Sequence, residues 1–119
     1  MEVARKLQLR PGTTVALLGV PGDVDLTFPD DVATTREAAD ADAVIAFVHT
    51  SSDLDGAAAA AVAAARADRL AWIAYPKGGH LGTDLNRDRL ADAARERGAQ
   101  PVRQVSIDET WSALRFRPL

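Results

Sequence analysis

The sequence predicts an α/β domain, a three-layer and mostly parallel sheet closed by a carboxyl-terminal antiparallel β-hairpin. Three observations carry that prediction. Residues 43–48 (AVIAFV) and 70–75 (LAWIAY) are apolar without alternation, the pattern of strands covered on both faces. Between them Leu54, Ala58, Val62 and Ala65 recur on one helical face, so the segment reads as strand, helix, strand. At the end of the chain, two strand-like segments are separated only by Asp108, Glu109 and Thr110, too short a link for a parallel crossover.

The elements follow in order. A short helix is expected over residues 3–9, stopped by Pro11 and Gly12. Residues 14–18 (TVALL) make the first strand, ended by Gly19, Pro21 and Gly22. Residues 23–28 suit a single helical turn, and the β-branched residues in 32–36 suit a short second strand. Ser52 with Asp55 three positions on predicts a capping-box start to the alanine-rich helix, which runs to Ala67. A second helix is expected from about Asp84 to Arg97, with Leu90, Ala91 and Ala94 on its apolar side and Gly98 as its stop. Residues 101–107 and 111–117 complete the hairpin, and Leu114 and Phe116 alternate with Arg115 and Arg117.

Composition excludes several function classes. At 119 residues, residues 1–119 form one domain with a modest core. With 47% hydrophobic and 26% charged residues, the chain has a globular rather than a disordered profile. A net charge of -3 provides no broad cationic surface, so no nucleic-acid partner is expected. The absence of cysteine removes disulfides, thiolate zinc sites and cysteine nucleophiles, and His49 and His80 are too few for a three-histidine zinc site, so no metal is expected. The first twelve residues lack a secretory apolar stretch, and no run reaches the roughly 18 apolar residues of a membrane helix. The expectation is a cytoplasmic protein with no membrane partner.

Residues 10–22 (RPGTTVALLGVPG) are similar to the first strand and glycine loop of class I methyltransferases, and the element order resembles their Rossmann-like fold over nearly the whole chain. That resemblance implies S-adenosylmethionine as cofactor, Gly19 and Gly22 in the loop that approaches it, and Glu37 as the acid on its ribose. The chain departs from the family pattern at Leu17, where an acidic residue is usual, and lacks a second glycine between Gly19 and Pro21. Residues 72–77 (WIAYPK) and 108–116 (DETWSALRF) also resemble small uncharacterised bacterial proteins that share this layout, a likeness that brings no known activity.

In open α/β sheets ligands bind beyond the carboxyl ends of the parallel strands. The sequence puts at that edge residues 19–23, 49–53, 75–83 and 108–111, which hold both histidines and Lys77, one of only two lysines. Lys77, Gly78, Gly79, His80 and Thr83 lead toward a helix amino terminus, where free amides and the dipole attract anions. A small anionic ligand is one reading of that loop. A flexible loop with a helix cap at Thr83 or Asp84 is the other. His49 and His80 suit a general base or a pH-sensitive contact, or serve as hydrogen-bonded strand ends. Asp108 and Glu109 read as a paired carboxylate site or as a solvated turn, and Trp111 as a stacking platform or as core. Ser51 and Ser52 lack the GxSxG elbow of a hydrolase. The sequence therefore predicts a non-catalytic small-molecule-binding, regulatory or interaction domain. Its competitor is a transferase using S-adenosylmethionine or a nucleotide at the same edge. A homodimer through the hairpin is a third expectation, resting on an exposed last strand that Arg115 and Arg117 would guard.

Overall fold

The chain folds around its two unalternating apolar runs. The computed structural model describes residues 5–22, 24, 26 and 28–119. It contains strands β1 (Thr14–Leu18), β2 (Ala33–Thr35), β3 (Ala43–Phe47), β4 (Leu70–Pro76), β5 (Ala99–Ser106) and β6 (Trp111–Pro118), with helices α1 (Ala57–Arg66) and α2 (Arg87–Glu96). One mixed sheet has the order β2-β1-β3-β4-β6-β5. The first four strands run parallel, and β6 pairs antiparallel with both β4 and β5.

Side chains alternate between the two faces of this sheet, and both faces are covered. Val44, Ala46, Ile73, Tyr75, Leu114 and Phe116 point to the side packed by Leu54, Ala58, Val62, Leu90 and Ala94. Alanines along α1 present little bulk, so the helix lies close over β3 and β4 while retaining high helix propensity. On the opposite side Ile45, Phe47, Trp72, Trp111 and Ala113 are covered by Leu7 and by Leu9, Val20, Val24, Leu26 and Phe28. The third layer is thus built from the segments that carry Leu7, Val20 and Phe28 and not from α1 or α2. Its anchor is the Trp72 indole, which donates to the Leu7 carbonyl at 3.0 Å.

Several local expectations are corrected. The last strand is not exposed: β6 lies between β4 and β5, and the hairpin's outer edge is β5. Pairing of two copies through this hairpin would have to use β5, where Pro101, the exposed Arg103 and an irregular register between them blunt the edge. The capping carboxylate before α1 is Asp53 rather than Asp55. Its Oδ2 accepts from the amides of His49 at 2.8 Å and Thr50 at 3.2 Å, and residues Ser51–Asp53 form a separate 3₁₀ turn. Helix α2 starts later than expected and is capped by Asn86, whose Oδ1 accepts from the Arg89 amide at 2.9 Å. The expected turn over 23–28 falls partly on residues 23, 25 and 27, outside the described residues, as does the start of the helix expected over 3–9. No helix among the described residues is long and apolar enough to cross a membrane.

Candidate functional site

The strand order reverses direction between β1 and β3, with β2 on one side and β4 on the other. Chains leaving the carboxyl ends of β1 and β3 therefore diverge and open a crevice there. Gly19 begins the loop after β1 at φ +69°, and a Cβ on it would lie 3.0 Å from the Phe47 carbonyl oxygen. A side chain would be both strained and crowded, so only glycine lets this turn press against the end of β3.

Two cavities share Gly19. One, of about 330 Å³, is lined by Gly19, Pro21, Phe47, His49, Leu81 and Trp111, with Asp53 beside them. The other, of about 760 Å³, runs over Val20 and Leu26 toward Thr35 and Arg36 at the end of β2. Both volumes match small-molecule sites. Trp111 is buried and meets Phe47 edge-on, with ring centroids 5.2 Å apart, forming an aromatic wall.

The polar groups around the crevice are largely engaged with one another. His49 Nε2 lies 2.5 Å from the Leu81 carbonyl oxygen, and the Thr83 hydroxyl donates to the His49 carbonyl at 2.5 Å. Thr83 Oγ1 also accepts from the Leu85 amide at 3.0 Å. The Asp84 carboxylate accepts from the Ser51 hydroxyl at 2.5 Å and the Ser51 amide at 2.9 Å. These hydrogen bonds, first the one from the Ser51 side chain, hold the Asp84 carboxyl below the ordinary range. The β3 loop and the β4 loop are thereby tied together across more than thirty residues of sequence. Leu81 sits at the centre of that tie at φ +55°, a left-handed conformation unusual for leucine, with its side chain 54% exposed at the cavity mouth.

Of the residues singled out from the sequence, Gly19 and His49 line the crevice and Thr83 braces it. Lys77 turns the other way: its ammonium donates to Ser106 Oγ at 2.9 Å and its amide to the Thr110 carbonyl at 2.7 Å, binding the β4 loop to the hairpin turn. Gly78, Gly79 and His80 are exposed beyond it, and Gly22 lies past the proline of the first loop. Glu37 is exposed just after Thr35 and Arg36, its amide donating to Thr35 Oγ1 at 3.1 Å. Asp108 caps the hairpin turn by accepting from the amides of Thr110 and Trp111 at 2.8 and 2.7 Å. Sequence reasoning passed over Leu81, Phe47 and Arg36. The one available signal was an apolar residue set among glycines at Leu81. Among the described residues no group of three histidine, cysteine or acidic side chains could hold a metal ion.

The sequence matches no protein-family model and no curated protein. A crystal structure of ribosomal protein L11 methylase from Lactobacillus delbrueckii subsp. bulgaricus superposes with a TM-score of 0.49 and 14% identity, covering 98% of this chain and 76% of that one.

Proposed function

We propose that the protein is a small-molecule-binding domain whose ligand occupies the crevice beyond β1 and β3, and that it binds rather than transforms that ligand. One observation carries the reading: two ligand-sized cavities meet at Gly19, where the strand order reverses. The arrangement of polar groups favours binding over catalysis. Ser51, Thr83, Asp84 and the Nε2 of His49 already hold the loops together, which leaves an aromatic wall, the Nδ1 edge of His49 and Arg36 to meet a ligand. S-adenosylmethionine is the first candidate, on the similarity of residues 10–22 to the methyltransferase glycine loop. A planar base would lie against Phe47 and Trp111 or along the wider cavity, and Arg36 would meet an anionic group.

The test is a thermal-shift panel of S-adenosylmethionine, S-adenosylhomocysteine and nucleotides. A ligand at one hundred times its dissociation constant stabilises the fold by about 2.7 kcal/mol. Exposed-residue variants His49→Ala and Arg36→Ala should weaken a hit about tenfold, the loss expected of one good contact. No stabilisation by any of these compounds, or hits indifferent to both substitutions, would refute the crevice as the site. The competing reading, a transferase using S-adenosylmethionine, gains if the purified protein, supplied with a nucleophilic methyl acceptor, converts that compound to S-adenosylhomocysteine while the acceptor gains the methyl group.

A further inference from the structure

We propose a second site at the amino-terminal end of the sheet, where Arg115 and Arg10 bind a small oxyanion, independently of the crevice. A cavity of about 270 Å³ opens there between Gln8, Arg10, Thr13, Asp42, Leu70 and Arg115. Arg115 extends from β6 opposite Trp72, on the sheet face covered by the amino-terminal segment. Its Nη1 donates to Gln8 Oε1 at 2.7 Å, from a Gln8 held at φ +62°. Its Nε is buried and has no hydrogen-bond partner among the described residues. A guanidinium N–H removed from water without an acceptor is costly, and folded proteins keep few of them.

The charges at this cavity point to what would supply the acceptor. Two guanidinium groups face one carboxylate, and Asp42 already uses Oδ2 to accept the Thr14 amide at 3.0 Å. Among the described residues neither arginine forms an ion pair. The free edge of a guanidinium presents parallel N–H groups that match two oxygens of a carboxylate or phosphate. Thr13 adds a hydroxyl on the same wall. The ligand class is therefore a small carboxylate or phosphate group, held by the Arg115 guanidinium, whose buried Nε–H a small shift of the wall would uncover, and by Arg10 as the second cation.

The side-chain Nε–H signal of Arg115 reads this directly in proton–nitrogen NMR spectra of the full chain. Inorganic phosphate and acetate are titrated separately against chloride at equal ionic strength. The expected result is a saturable shift of that signal with one or both anions: acetate alone identifies a carboxylate site, phosphate alone a phosphate site. In Arg10→Ala, an exposed substitution, the dissociation constant should rise about tenfold, corresponding to one lost charge-assisted hydrogen bond. Arg115→Lys, which keeps the charge but loses the fork, should weaken binding at least as much, followed on the Thr13 amide. A signal unmoved by both anions, a drift that never saturates, or an unchanged constant in Arg10→Ala would overturn the site.

Discussion

Ser51, Thr83 and Asp84, at the carboxyl end of the sheet, each find a partner in the neighbouring loop, whereas Arg115, at the amino end, keeps a buried N–H without one among the described residues. The comparison separates two ways of building a concave surface. At the carboxyl end, hydrogen bonds between the β3 and β4 loops fix the crevice wall before any ligand arrives, so its floor is aromatic and its rim already satisfied. At the amino end the cavity wall is polar apart from Leu70 and lies beside the Trp72–Leu7 anchor, and one buried donor is left open among the described residues. A rigid rim suits a pre-formed pocket, and an unmet donor suits an ion.

The largest expected effect breaks the amino end. Trp72→Ala removes a fully buried ring and the donor to Leu7, and should lower unfolding free energy by about 3–5 kcal/mol in urea titrations. Trp72→Phe should cost clearly less, because the packing survives and only the Leu7 carbonyl loses its partner. A loss in Trp72→Ala no larger than that of a surface substitution would remove the anchor from the account.

Next comes the floor of the crevice. Gly19→Ala forces alanine into a left-handed conformation and against the Phe47 carbonyl, and should cost about 1–3 kcal/mol in the same measurement. Thr83→Val, which keeps the shape and deletes the hydroxyl between His49 and Leu85, should cost about 1 kcal/mol. An unchanged midpoint in Thr83→Val would mean that the rim is not braced there.

How much of this was legible in the sequence depends on the range over which each signal acts. Strands β3 and β4 declared themselves because a strand buried on both faces has no alternation to hide, and α1 because its apolar residues keep a helical period. The insertion of β6 between β4 and β5 left no local trace, since a hairpin fixes which strands pair but not which of them faces the rest of the sheet. Thr83 and Asp84 looked like helix caps because their residue types are right for it. Their side chains instead reach His49 and Ser51, thirty-odd residues away, and Asn86 takes the cap. Arg115 alternates with Leu114 and Phe116, which reads as a solvent face, yet that face is roofed by Leu7 and its neighbours. Lys77 was rare enough to suggest a ligand, and its ammonium is bound to Ser106.

The smallest effect is a pH dependence. Asp84 titrates lower in the folded chain than in the unfolded one, so its contribution is complete above the unfolded pKa and is lost as pH falls through the folded pKa. Stability plotted against pH should therefore fall less steeply on the acid side in Asp84→Asn than in the parent. Superimposable acid limbs would show that the bonds to Ser51 add nothing.

The two tryptophans provide the most direct check of the crevice itself, because Trp111 lines it and Trp72 lies under the amino-terminal segment. Their indole N–H signals can be followed in one NMR titration with S-adenosylmethionine, extended to nucleotides. A ligand in the crevice should produce a saturable shift of the Trp111 signal while the Trp72 signal stays in place. A shift confined to Trp72, or no movement of Trp111 with any of these ligands, would contradict it.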